Sequence, residues 1–454
     1  MKKTISVIFA VLFLLLCLLP SAGMLLWGES KPGANEILAS APALREKDGG
    51  LNVELLSDFS DYIRDRFCFR QEWITAWNRL NVRLFNASPA EDVTAGRDGW
   101  LYYADTLPDY TRSDVLTERE SWCAARTVML MQEYAEAQGC AFLFTIAPNK
   151  NSLYPAHMPE LPVLPGESSA ERFAETYTAM GGNYLDLFAV FSAEDGELYW
   201  HTDSHWNGKG AALAADAVLS ALGKDERWTA GGFVEAEPHR GDLYEMLYPA
   251  GKDTEADYAP AGGFTYEHTR PFRGPTDLRI ETASAGREGS LLCFRDSFGN
   301  NLHPYLAESF ASAVFSRQTA YDLTAIADYA ADTVVIELVE RNLRWLLDYD
   351  PVFPAPERDK ITVLPFVADA LDVSASAEAA RRSEWVTLRG TLPTAADGDS
   401  PVFLLCGGAF YEALPRPEGF ALTLPEGVSL SDAQLVYFSE GRCVSAALSV
   451  TEKE

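Results

Sequence analysis

The sequence predicts a doubly wound α/β domain with a parallel sheet, an apolar segment ahead of it and a small β-sandwich behind it. Three observations carry this expectation. Short continuous apolar runs at 141–147, 291–294 and 333–339 alternate with helical stretches, as parallel strands covered on both faces do. An almost unbroken apolar run from Ile5 to about Trp27 follows Lys2 and Lys3. After Pro356, short alternating segments such as 385–388, 402–405 and 433–437 are separated by Gly, Pro and Asp, the rhythm of a β-sandwich.

The chain has 454 residues, more than one compact core accommodates. We divide it into a signal anchor (1–30), a helical linker region (31–84), a catalytic-type α/β domain (85–355) and an accessory β-domain (356–454). The first segment has the length a helix needs to cross a bilayer, with the basic end oriented to the cytoplasm. That predicts a single-pass cell-membrane anchor with the bulk of the chain outside the cytoplasm. The rival reading is a cleaved signal peptide, for which Pro20, Ser21, Ala22 and Gly23 offer small residues.

The net charge of -29 argues against nucleic-acid binding and, less strongly, against a strongly anionic polymer as substrate. The 7 cysteines show no metal-type spacing. Cys17 lies in the apolar segment, and Cys68, Cys123, Cys140 and Cys293 read as small core residues. Cys406 and Cys443 fall in the β-rich region and are candidates for a disulfide outside the cytoplasm.

In the linker region, Phe59, Tyr62, Ile63, Phe67, Trp73 and Trp77 recur at helical steps. Residues 97–103 read as a turn entering a strand. A helix over 118–138 ends at Gly139. Each of the three buried runs delivers polar residues at its carboxyl end: Asn149 and Lys150, Asp296 and Ser297, Glu340 and Arg341. Ligands of doubly wound sheets bind at that rim. Residues 227–289 read as a Gly/Pro-rich loop insertion over the site. Its Arg240-Gly241-Asp242 is an adhesion-type tripeptide of a kind that arises by chance.

The densest polar cluster runs from Tyr199 to Asn207, just before an Ala-rich helix over 209–222. Asp203 and His205, two apart in extended backbone, face one side; a carboxylate there orients an imidazole for general-base work. Two other readings stand beside this one. Asp203 or Ser204 caps the helix while His205 packs, or His201, Asp203 and His205 hold a metal with ligands from elsewhere. The second motif, Arg295-Asp296-Ser297-Phe298-Gly299-Asn300, sits between a buried strand and a helix. It offers either an exposed nucleophile with free first-turn amides or an ordinary cap. It is not the Gly-x-Ser-x-Gly elbow. Trp100, Tyr199, Trp200 and Trp206 read as core in preference to sugar platforms.

Taken together, these pieces resemble the AlgX/AlgJ-like branch of SGNH hydrolase-fold acetyltransferases, including DHHW-related proteins. The matching stretches are Asp65-Arg66-Phe67 with Phe69-Arg70, Gly96 to Leu101, Pro148-Asn149-Lys150, Tyr154-Pro155, Thr202 to Asn207, Asp296 to Gly299 and Glu340-Arg341. The resemblance implies an SGNH-like sheet in which Asp-x-His precedes Ser, a circularly permuted motif order. It implies Ser297 as nucleophile, His205 as base and Asp203 as orienter. It further implies O-acetyl transfer to an exported cell-surface polysaccharide, with a membrane-bound O-acyltransferase as acyl donor and no cofactor. Phe298, Lys150, Asn149, Asn207 and Arg295 are candidates for oxyanion or substrate contacts. Arg295 stands where a Gly often precedes Asp-Ser, and the C-terminal region does not match the carbohydrate-binding module of AlgX. A glycan O-acetyl esterase and a non-catalytic glycan-binding scaffold are the alternatives.

Overall fold

The computed structural model describes residues 2–33, 36–46, 49–360, 368–382 and 384–452, without the side chains at 2, 3, 12, 15–21, 25 and 382. Three apolar runs become the strands Ala141–Ala147, Ser290–Phe294 and Thr333–Val339. They pair in parallel, with Thr333–Val339 between the other two. Tyr184–Leu185 and Ser312–Ser316 extend the parallel run on either side.

Side chains alternate across this layer with period two. Leu292, Phe294, Val334, Ile336 and Leu338 join one core cluster with the helices Glu118–Ala137 and Ser169–Ala179. Leu291, Cys293, Val335 and Val339 join the opposite cluster with the helices Gly208–Ala221 and Gly299–Ser309. The doubly wound reading therefore holds for the strands it was based on. The first of these helices starts at a Thr117/Glu120 capping box and is followed by Gly139 at φ +85, which satisfies its free amides and turns the chain.

Two expectations need correction, and a third is extended. The sheet has seven strands and is mixed: Arg279–Ala283 and Glu267–His268 add to it antiparallel. Both come from the segment read as loops, because two- to five-residue strands show little periodicity. In the linker region the helices are Leu55–Arg66 and Arg70–Phe85, and the described residues between 28 and 54 form none. The C-terminal region is a β-sandwich, as read, and its two sheets join into a closed, barrel-like ring. Its strands run Ala409–Pro415, Val402–Cys406, Gln434–Ser439, Arg442–Glu452, Ala375–Arg382, Trp385–Thr391 and Gly419–Pro425. Leu414 and Pro415 then pair with Ala421 and Phe420 and close the ring. Closure removes the open edges. Alternation along a strand is the same whether or not the sheets close, so it does not reveal the closure.

Cys406 and Cys443 are free thiols. They pack into different apolar clusters of the barrel wall, which separates them. Cys68, Cys123, Cys140 and Cys293 are buried and free; the Cys17 side chain lies outside the described residues.

The apolar N-terminal run forms the helix Lys2–Trp27. The central side chains of the expected anchor lie outside the described residues, and among those described no helix is long and apolar enough to cross a membrane.

The barrel rests on the α/β domain through charged pairs. Arg126 donates to both oxygens of buried Glu412, at 2.7 and 2.8 Å, and Arg358 bonds Glu412 and Glu133. Buried Arg416 reaches Thr127, the Leu346 carbonyl and Asp350. Bidentate Arg–carboxylate geometry fixes orientation as well as contact.

Candidate functional site

All the parallel strands point the same way, so their carboxyl ends form one rim. Ser297, Arg317 and Arg341, each just past a strand, line a cleft of about 600 Å³ there. His205, Ser204 and Asp242 line it from the facing loops.

The loop before the helix Gly208–Ala221 is held from several sides. Asn207 is the N-cap: its Oδ1 accepts from the Lys209 and Gly210 amides, both at 3.0 Å. Four residues earlier, Asp203 Oδ1 accepts from the His205 amide at 2.8 Å and sits 2.7 Å from His205 Nδ1. This bond orients the imidazole and leaves Nε2 for chemistry. Nε2 is buried and has no partner among the described residues. Burial by itself would raise the Asp203 carboxyl. The His205 charge and hydrogen bonds from two imidazoles override it and hold the group well below the ordinary carboxylate range.

The turn carrying Ser297 is braced by its neighbours. Asp296 Oδ1 accepts from the Phe298 amide at 2.9 Å, and Oδ2 accepts from the Val339 amide at 2.7 Å and Asn342 at 3.1 Å. Arg295 donates to the Pro275 and Asp277 carbonyls and to Asn300. A Cβ on Gly299 would lie 2.5 Å from the Arg295 chain, so glycine is what lets that arginine fold back. Ser297 itself is half-buried, and among the described residues its backbone N–H has no acceptor. The two motifs are stitched together by Trp206, whose Nε1 donates to the Phe298 carbonyl at 3.1 Å. The His205 and Phe298 rings stand 4.9 Å apart. Ser297 and His205 share the cleft, with no hydrogen bond between them.

Below the turn, Glu337 occupies a fully buried position on the central strand. Burial, reinforced by the Asp296 charge, pushes its carboxyl well above the ordinary range and so disfavours its charged form.

Residues 93–273 match the family described as SGNH hydrolase-like domain, acetyltransferase AlgX. Over that span the chain is similar to the AlgX-type SGNH hydrolase-like domain. The matched span includes Asp203 and His205 and stops short of Ser297. Over 195 residues the chain is 27% identical to the probable alginate O-acetylase AlgJ of Pseudomonas syringae pv. tomato, covering 40% of this chain and 48% of that protein. Over 246 residues it is 25% identical to the probable alginate O-acetylase AlgJ of Pseudomonas fluorescens, covering 51% and 57%. The chain thus spans about half the length of the curated relatives it matches. Among solved structures, Bacillus cereus PatB1 is similar at 17% identity and TM-score 0.42, covering 54% of this chain and 95% of that one. The O-acetyltransferase domain of Pseudomonas putida AlgJ is similar at 17% and 0.39, covering 57% and 93%.

Of the five secondary candidates, four serve the scaffold. Lys150 is buried and donates to the carbonyls of Trp200 (3.2 Å), His201 (2.8 Å) and Asp203 (2.5 Å), so it clamps the loop from behind. Burial pulls its amine down to about 7 against the opposing charges of Asp203, Asp242 and Glu255. Asn149 is buried and bonded through its amide to Glu340. Asn207 is spent as the cap, and the Phe298 amide is spent on Asp296. Arg295 lines the cleft, but its guanidinium is engaged by carbonyls and Asn300.

The alternation His201, Asp203, His205 is not assembled as a ligand set. His201 pairs with Glu197 at 2.9 Å and stacks on Trp100 at 4.3 Å. Asp203, His205 and Asp242 do bring ligand-type atoms within 4.8 Å of one another, but these atoms already hydrogen-bond among themselves and to Ser204. Trp100, Tyr199, Trp200 and Trp206 are core residues.

Sequence reasoning missed His239 and Asp242. His239 Nε2 lies 2.7 Å from Asp203 Oδ2. Asp242 accepts from the Ser204 amide and hydroxyl at 2.8 and 2.6 Å, and its own amide donates to Asp203 at 2.9 Å. Gly241 permits the approach, since a Cβ there would stand 2.1 Å from the Thr202 carbonyl oxygen. The available signal was a histidine, one of 6 in the chain, three residues from an aspartate in a segment read as loops.

Proposed function

We propose that this chain is a serine O-acyltransferase that moves an acyl group, acetyl by analogy with its relatives, onto a hydroxyl of an exported polysaccharide. The observation that carries the reading is the Asp203–His205 bond beside an unpartnered Nε2, in the cleft that also contains Ser297. Relatives named as probable alginate O-acetylases support a polysaccharide acceptor.

In this reading Ser297 Oγ attacks the donor carbonyl carbon and His205 Nε2 takes its proton. The tetrahedral oxyanion lies against the free Ser297 N–H. Collapse breaks the bond to the donor's leaving group, which takes the proton from His205 and departs, leaving an ester on Ser297. A sugar hydroxyl then attacks that ester and gives its proton to Nε2. The second collapse releases acylated sugar and returns the proton to Ser297. Asp203 holds the tautomer and offsets the imidazolium charge throughout. Water in place of the sugar makes the same site an esterase. A membrane-bound O-acyltransferase as donor, and anchoring by the N-terminal helix with the domain outside the cytoplasm, complete the proposal.

The test is Ser297→Ala, assayed with a nitrophenyl acetate donor and an acceptor oligosaccharide, with circular dichroism to confirm folding. We expect release of nitrophenol and formation of acetylated sugar to fall by at least about 10³-fold. A folded variant that keeps its activity removes Ser297 as nucleophile. Product analysis of the unchanged protein separates transfer from hydrolysis. A serine-directed fluorophosphonate that leaves Ser297 unlabelled favours the scaffold role.

A further inference from the structure

The Asp203 carboxylate serves two imidazoles at once. Its Oδ1 meets His205 Nδ1 and its Oδ2 meets His239 Nε2, each at 2.7 Å. His239 is not a mobile surface side chain. Its backbone exchanges hydrogen bonds of 2.8 and 2.7 Å with Glu255, and its ring stacks on buried Trp200 at 3.7 Å with an interplanar angle of 18°. The residue thus arrives from the 227–289 segment on a rigid mount, and its ring nitrogen meets the second oxygen of the orienting carboxylate.

We propose that His239 is a positioning residue for the acyl-transfer site, fixing the Asp203 carboxylate and moderating how strongly that carboxylate supports a proton on His205. This rests on the reading of Ser297, His205 and Asp203 given above. Two bonds on one carboxylate remove its rotation about the last side-chain torsion, so the orientation of His205 is inherited from His239 and the Asp242 amide together. The electrostatic consequence follows from charge sharing. A cationic His239 offsets the negative charge that would otherwise stabilise a protonated His205. The carboxylates bearing on His239 are Asp203, Asp242 and Asp257; burial opposes its charged form, but the Asp203 bond and charge override that and raise its proton affinity. Glu255 holds its backbone across the bridge, and Lys150 holds the Asp203 carbonyl from behind.

The test compares His239→Gln and His239→Phe with the unchanged protein. Glutamine keeps a neutral N–H at similar reach but does not titrate; phenylalanine keeps the stack on Trp200 and loses the donor. In His239→Gln we expect near-normal turnover on the alkaline plateau and an acidic limb of kcat/KM moved to higher pH by roughly one unit. In His239→Phe we expect kcat to fall roughly tenfold with little change in KM, and glutamine to restore it. A histidine-labelled NMR titration reads the same coupling without turnover: the His205 midpoint moves upward in His239→Gln. An unmoved pH limb and an unmoved midpoint overturn the proposal. Absence of turnover in the unchanged protein fails the acyl-transfer reading, and the NMR midpoint still decides the coupling.

Discussion

Glu340 offers a perturbation whose size and sign follow from its surroundings. It is buried at the end of the central strand, and its Oε2 accepts from the Asn149 amide at 2.8 Å and the Ser152 hydroxyl at 2.7 Å. These bonds tie down the turn that presents Lys150. Burial, reinforced by the neighbouring Asp109 carboxylate, pushes its carboxyl from 4.5 up to about 8. The folded protein therefore holds a proton between those values that the unfolded chain has lost. Stability from this group is complete below about pH 4.5 and is lost as pH rises towards about 8. At about 1.4 kcal/mol per unit, the full span is worth roughly 5 kcal/mol. Part of that span comes from the neighbouring Asp109 side chain rather than from burial, so we expect about half of it. Glu340→Gln keeps the accepting oxygen, supplies a donor towards Asp109 and never ionises. Chemical denaturation followed by tryptophan fluorescence should find the two proteins equal near pH 5, with the variant more stable by about 2–3 kcal/mol near pH 9. A difference that does not change with pH, or a variant weaker at pH 9, refutes the reasoning.

Other outcomes follow from the same geometry. Lys150→Met leaves the Trp200, His201 and Asp203 carbonyls without their donor; unfolding free energy should fall by about 2 kcal/mol, and turnover should fall with it, since the loop carries His205. Gly241→Ala forces a Cβ into the space 2.1 Å from the Thr202 oxygen. Denaturation should register a loss of roughly 1–3 kcal/mol, and turnover should drop as Asp242 and His239 move away from Asp203. A variant that melts and turns over like the unchanged protein would show that the close approach is not required.

Much of the α/β layer was legible in the chain because buried strands and their helices are local patterns. The run Ala141–Ala147 begins and ends as read, and so does Thr333–Val339. The short antiparallel strands were not legible, since their pairing is decided by the neighbour they join. The net charge of -29 says little about the cleft, which Arg295, Arg317 and Arg341 line beside Asp105, Asp242 and Asp296. Lys150 illustrates the limit best. A lysine after a strand looks the same in one dimension whether it faces substrate or is buried; three carbonyls from a loop fifty residues on made it a clamp.

The sequence by itself determined the strand–helix alternation, the rim on which polar residues gather and the Asp203–His205 pair. These depend on residues within one turn or one strand of each other, where backbone geometry dictates the outcome. Only the tertiary structure decided that a carboxylate would be shared with His239, that Asp242 would brace Ser204, and that the last domain would close into a ring. Those contacts join segments distant along the chain, and their partners are selected by packing and by satisfying buried polar groups, which no local pattern encodes.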